Sequence, residues 1–203
     1  MIKALIFDLG NVIVPVETER TIAELAALCW RDPAELRALI AASDELDRHQ
    51  TGRMTTADLI AHLHQLLSFT CEAEVFNRAW NSMLVPTPLL PTELFRELSE
   101  RYRLIVLSDT NEIHFEYIRE NYEAMKYFDD FVLSYEVGDV KPSPVMFREA
   151  VRRAGCDPGE CLFTDDKPIN IEGAINCGLQ AILFTTLEMF LPELKDWVVD
   201  FGS

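Results

Sequence analysis

Three apolar runs in this chain stop abruptly at side chains that can do chemistry. Residues 2–7 end at Asp8, residues 104–107 at Ser108 and Asp109, and residues 161–164 at Asp165 and Asp166. Short runs rich in Ile, Val, Leu and Phe, broken by Gly10, Asn11 or an aspartate, read as buried strands rather than helices. In open α/β sheets, ligands bind beyond the carboxyl ends of the strands. If the strands are parallel, all of these side chains converge on one edge.

The spacing between the first two runs is different. From residue 16 to residue 85 it is helical throughout, with Ile22, Leu25, Ala26 and Cys29 on one face. Asp32 and Pro33 form an N-cap and first-turn pair, and residues 50–53 read as a turn. Thr55 or Thr56 caps a helix through Leu59, Ile60, Leu63, Leu66 and Leu67, and a last helix over about 72–84 carries Val75, Phe76, Ala79, Trp80 and Met83. Trp30 and Trp80, lying in apolar helical patterns, are read as core. Pro86, Pro88 and Pro91 break the chain, and strands and helices then alternate to the carboxyl end. Ser143 with Pro144 opens one of these helices and Gly178 closes another.

Alternation with short connections predicts a parallel sheet covered by helices on both faces. The expected architecture is a doubly wound, Rossmann-like α/β core made of residues 1–15 and 86–203, with residues 16–85 inserted as an all-helical cap.

Composition narrows the function. The formal charge is −16, with no cluster of Lys and Arg, which argues against nucleic acid and against an anionic membrane surface. An anionic substrate would need a metal ion or a well-placed lysine to reverse the local field. Cys29, Cys71, Cys156, Cys161 and Cys177 are scattered without a C-x-x-C pair and read as buried thiols of a reducing compartment. Lys3 interrupts the first apolar run, so neither a signal peptide nor a membrane span is expected, and the location expected is cytoplasmic.

The residues at the strand ends are a carboxylate nucleophile (Asp8), a hydroxyl (Ser108), a cation (Lys141, before Pro142) and further carboxylates (Asp165 and Asp166). That set suits metal-assisted phosphoryl transfer. Mg²⁺ prefers oxygen ligands, commonly one or two carboxylates with waters, and Asp8 and Asp166 would supply them. Lys141 and Ser108 would offset charge on the nonbridging phosphate oxygens. Covalent capture at Asp8 would divide one difficult step into two.

Phe7-Asp8-Leu9-Gly10-Asn11-Val12, Leu107-Ser108-Asp109-Thr110-Asn111, Lys141-Pro142, and Phe163-Thr164-Asp165-Asp166 followed by Asn170-Ile171-Glu172-Gly173-Ala174 resemble, in order, the four motifs of the haloacid dehalogenase superfamily. The helical insert stands where that superfamily places its first type of cap. The first motif is similar to that of the bacterial α-D-glucose-1-phosphate phosphatase-like group. The resemblance implies that Asp8 is nucleophile and metal ligand, the Gly10 carbonyl a second ligand and Asp166 the metal carboxylate. It implies phosphate binding by the Ser108 hydroxyl and the Asp109 main chain, charge neutralisation by Lys141, and supporting roles for Asp165 and Asn170. The substrate implied is a small phosphorylated metabolite, sugar phosphates among the candidates, with Mg²⁺ as cofactor.

One position departs from the pattern. Most phosphatases of this superfamily carry an acid–base aspartate two residues after the nucleophile, and here Gly10 stands in its place. Such a group ordinarily contributes roughly 10²–10⁴-fold. Three outcomes follow: a slower phosphatase relying on water or a cap residue, one restricted to good leaving groups such as anomeric phosphates, or a catalytically impaired phosphometabolite-binding protein. His49 is a candidate substitute acid, although its place near the turn at Gly52 reads as surface. A metal-independent dehalogenase, with Asp8 attacking carbon, is a further alternative, and the adjacent Asp165 and Asp166 favour the metal enzyme.

Overall fold

A computed structural model of the chain describes residues 1–198; the expected core segment 86–203 runs past them at 199–203. Five strands form one sheet: β1 (Ala4–Phe7), β2 (Arg103–Ser108), β3 (Asp130–Leu133), β4 (Cys161–Asp165) and β5 (Gln180–Leu183), in the order β3-β2-β1-β4-β5. All pairings are parallel. The doubly wound sheet expected from the alternating pattern is therefore present, with β1 at its centre.

Buried on both faces, the strands can be apolar at every position. On one face Leu5, Phe7, Leu104, Val106 and Leu162 meet Phe95, Phe128 and Phe190. The Phe7 ring stands edge-on to all three, with centroids 5.3, 6.1 and 6.4 Å away. On the other face Ile6, Ile105, Leu107 and Phe163 pack on Met146, Phe147, Ala150 and Ala174. The register aligns Phe7 with Val106 on one side and Thr164 on the other, so the three strands finish together.

Between β1 and β2 lie α1 (Thr18–Cys29), α2 (Pro33–Ala41), α3 (Glu45–Gln50), α4 (Thr56–Leu67) and α5 (Ala73–Asn81). They bury a separate apolar cluster that includes Leu25, Leu36, Leu59, Leu63, Phe76 and Trp80. The chain enters and leaves this insert side by side: Glu17 N donates to Met83 O at 2.8 Å and Val85 N to Pro15 O at 3.0 Å. Residues 83–85 are needed for that pairing, which is why α5 stops at Asn81 rather than near residue 84. The caps are those the sequence offers. Asp32 accepts from the N–H groups of Ala34 and Glu35, and Thr55, not Thr56, caps α4.

After the insert come α6 (Thr92–Ser99), α7 (Glu112–Asn121), α8 (Ser134–Val137), α9 (Pro144–Ala154), α10 (Pro168–Asn176) and α11 (Leu187–Trp197). No described helix is long and apolar enough to cross a membrane.

Two expectations need correction. Trp30 is 95% exposed, because α1 ends at Cys29 and Trp30 turns into the left-handed region, carrying its ring off the apolar face. Of the five cysteines only Cys161 is buried; the other four are half-buried, and all are free thiols.

Candidate active site

The aligned strand ends bring Asp8 and Asp165 to either side of one lysine. Lys141 Nζ lies 2.8 Å from Asp8 Oδ1 and 2.7 Å from Asp165 Oδ2, and it donates to the Leu107 carbonyl at 3.1 Å. All three side chains are essentially out of solvent. Asp165 is further held by Asn170 Nδ2, 3.0 Å from both carboxylate oxygens, and by the Lys167 N–H at 2.8 Å. Asp165 and Asn170 therefore brace Lys141, and Lys141 faces Asp8.

Ser108 is buried at the end of β2. The carboxylate of Asp109 accepts the Lys141 N–H at 2.9 Å, which fixes the lysine's backbone. Asn111 Oδ1 accepts the His114 N–H at 3.0 Å as the N-cap of α7 and the Val16 N–H at 3.0 Å, tying the loop to the start of the insert. Ser134, which sequence reasoning passed over, is fully buried; its hydroxyl accepts from Thr110 N and donates to Thr110 O, both at 2.9 Å. Its place just after a short, weak strand was the available signal.

Four aspartates set against Lys141 and Lys167 leave the site short of positive charge. Burial pushes Asp8 up to about 6, against the pull of Lys141 and with a further push from Asp165. Burial opposes the charge on Lys141, but Asp8 and Asp165 outweigh it and hold the amine above its ordinary value. Asp109 is raised by burial, and Asp166 by burial and by the charge on Asp165. Carboxyl oxygens of Asp8, Asp165 and Asp166 all lie within 4.8 Å of one another. Asp165 is engaged by Lys141 and Asn170, whereas Asp166 Oδ1 is buried with no partner among the described residues. An orphaned carboxylate oxygen in an all-oxygen, net-negative cluster fits a hard divalent cation.

Removing the shared cation has a predictable consequence. Lys141→Met would leave Asp8 and Asp165 buried and facing each other, a change expected to cost roughly 3–5 kcal/mol. In a chain of this size that corresponds to a fall in Tm of roughly 6–20 °C by calorimetry. A shift within about 2 °C would contradict the bridging geometry.

A cavity of about 410 Å³ separates the insert from the sheet edge. Gly10, Ser108 and Asp109 line it from the core, and Ile40, Leu46 and His49 from the insert. His49 is thus not a surface residue as its position suggested; it is 4% exposed, with Nε2 3.1 Å from Thr56 Oγ1. The turn after α3 docks on the core at Gly52, where φ is +66° and an added Cβ would lie 2.1 Å from the Tyr135 carbonyl oxygen. Only glycine permits that approach, and the docked turn carries His49 inward. At Gly10, by contrast, an added Cβ would meet only Val16 Cγ2 at 3.5 Å, an ordinary contact. Packing does not demand glycine there.

A family model described as haloacid dehalogenase-like hydrolase matches residues 2–178. The chain is 27% identical over 213 residues to D-ribitol-5-phosphate phosphatase of Bacteroides thetaiotaomicron, covering 97% of this chain and 95% of that protein. It is 36% identical over 109 residues, half of this chain and 46% of the other, to glyceraldehyde 3-phosphate phosphatase of Methanothermobacter thermautotrophicus. A HAD family enzyme from Bacteroides thetaiotaomicron, crystallised in complex with magnesium and inorganic phosphate, superposes with a TM-score of 0.86 at 27% identity, covering 96% of this chain and all of that one.

Proposed function

We propose that this chain, which belongs to the haloacid dehalogenase-like hydrolases, is a Mg²⁺-dependent phosphatase of small phosphorylated metabolites, working through an aspartyl-phosphate at Asp8. The observation that carries the reading is the Asp8–Lys141–Asp165 bridge beside the unpartnered Asp166 oxygen. The names of the relatives support it, since the phosphatases among them act on ribitol-5-phosphate and glyceraldehyde 3-phosphate.

In this reading an Asp8 oxygen attacks phosphorus, a bond forms between them, and the ester P–O bond breaks as the leaving oxygen takes a proton from water and departs as the alcohol. Water then attacks phosphorus, releasing phosphate and restoring the carboxylate. Lys141 favours the ionised form of Asp8 and offsets charge on the phosphate. The Ser108 hydroxyl binds a phosphate oxygen, and with its carboxylate committed to the Lys141 N–H, Asp109 contributes its own main chain. Mg²⁺, held by Asp8, Asp166 and the Gly10 carbonyl, would offset the repulsion between the attacking carboxylate and the phosphate oxygens.

Residues 16–85 act as a cap over the core formed by residues 1–15 and 86–198, excluding water from the site. Contacts between the two support this: Thr56 Oγ1 donates to Glu112 Oε2 at 2.6 Å, and His114 Nδ1 is 2.9 Å from Asn81 Oδ1.

Two measurements test the reading. Phosphate release from a panel of phosphomonoesters should require Mg²⁺ and stop on adding EDTA. In addition, Mg²⁺ at about 100 times its Kd should stabilise the protein by about 2.7 kcal/mol, raising Tm by roughly 5–11 °C. Asp166→Ala should remove that shift. Metal-independent turnover, or an equal Mg²⁺ shift in Asp166→Ala, would contradict the assignment.

A further inference from the structure

The alcohol half of a phosphate ester seated at Ser108 extends into the cavity under the insert, and that cavity is chemically one-sided. Much of its wall is Val16, Ile22, Ile40, Leu46, Met83 and Leu84. A substrate hydroxyl pressed against these side chains loses its water without gaining a partner.

Most polar groups at the wall are already engaged. Thr21 Oγ1 reaches the carbonyls of Ala79 and Trp80 at 3.2 and 2.9 Å. Asn111 Oδ1 holds two backbone N–H groups. The guanidinium of Arg37 is paired with both carboxylate oxygens of Glu19. Among the described lining residues there is then no unpaired cation to receive a carboxylate or a second phosphate.

Thr18, Gln50 and two imidazoles remain, and both imidazoles are neutral. Thr56 Oγ1 donates its proton to Glu112 Oε2, so at 3.1 Å it accepts from His49 Nε2. This hydrogen-bond network assigns the Nε2–H tautomer and leaves His49 Nδ1 as an acceptor with no hydrogen-bond partner among the described residues. Burial holds His49 below its ordinary pKa, against the charge of Glu112. His114 stacks on Trp80 with centroids 5.8 Å apart, gives its Nδ1–H to Asn81 Oδ1, and is pushed down to about 3 by burial and by His49.

We propose that the cavity selects phosphomonoesters of neutral, mostly apolar alcohols bearing a hydroxyl or N–H donor for His49 Nδ1, in preference to esters of polyols or of hydroxy acids. The proposal rests on the phosphatase reading and makes His49 a specificity-determining residue. It also separates this chain from a polyol phosphatase such as its ribitol-5-phosphate relative.

Four esters with a primary four-carbon leaving group test it: butyl phosphate, 4-hydroxybutyl phosphate, erythritol 4-phosphate and 4-phosphooxybutanoate. With Mg²⁺ present, kcat/KM for 4-hydroxybutyl phosphate should exceed that for butyl phosphate by roughly tenfold, the worth of one hydrogen bond. Both should exceed the erythritol and carboxylate esters. His49→Phe should bring the first ratio close to one. His49→Asn, which keeps an acceptor near the position of Nδ1, should retain part of the preference. Erythritol 4-phosphate as the best substrate, a wild-type ratio near one, or a ratio indifferent to His49→Phe would overturn the proposal. The wild-type ranking decides the matter even if the variants fail to fold. Absence of Mg²⁺-dependent release from all four and from p-nitrophenyl phosphate would instead overturn the phosphatase reading, and this proposal with it.

Discussion

Asp8→Asn is expected to lower kcat by roughly 10⁴-fold or more while leaving the protein at least as stable as the wild type. The amide has nearly the shape of the carboxylate but is not a nucleophile, and Lys141 keeps Asp165 as its partner. Stability need not fall, because the Asp8 charge is disfavoured by burial, as its rise to about 6 shows. The lost attraction to Lys141 is offset by relief of that burial penalty and of the repulsion from Asp165. Phosphate-release kinetics and calorimetry on the same preparation separate the two effects. Activity within tenfold of wild type, or a loss of activity matched by a large fall in Tm, would assign Asp8 a structural role instead.

Gly10→Asp is expected to raise kcat on alkyl phosphates by roughly 10²-fold while changing p-nitrophenyl phosphate turnover little. An alkoxide needs a proton as it departs and a nitrophenolate does not, so only the first class gains from a new acid. The position can take the side chain: the added Cβ meets only Val16 at van der Waals distance, and Gly10 is not among the glycines with positive φ. The surrounding carboxylates would raise the new group's pKa and keep it protonated for the first step. Unchanged alkyl turnover, or equal gains on both ester classes, would show that the missing acid is not what limits this enzyme.

These two positions also show what the sequence made legible. Asp8, Ser108, Lys141, Asp165 and Asn170 each follow an apolar run or stand at a fixed offset from one, and a parallel sheet brings such positions together whatever the details of packing. Adjacent Asp165 and Asp166 differ in their surroundings, since Asp165 faces Lys141 and Asn170 and Asp166 keeps an oxygen with no partner among the described residues.

What escaped depends on contacts between distant segments. His49 turns inward because the Gly52 turn docks on the Tyr135 carbonyl, and no local pattern near residue 49 records the presence of α8. Trp30 extends an apolar periodicity by one residue beyond the point where α1 ends, and periodicity alone does not mark that end. The cavity is assembled from α1, α2, α3 and the strand-end loops, so its apolar character is spread thinly along the sequence.

The most direct test of the account is to quench the wild-type enzyme in acid during turnover of a phosphomonoester with Mg²⁺, reduce with borohydride and map the product by mass spectrometry. An acyl phosphate at Asp8 would be reduced to homoserine at that position. Without an acid–base group at Gly10, its hydrolysis is expected to be slow enough for the adduct to accumulate. The account predicts homoserine at position 8 in a fraction that depends on both substrate and Mg²⁺ and is absent from Asp8→Asn. Steady phosphate release with Asp8 unmodified, or an adduct on another residue, would contradict it.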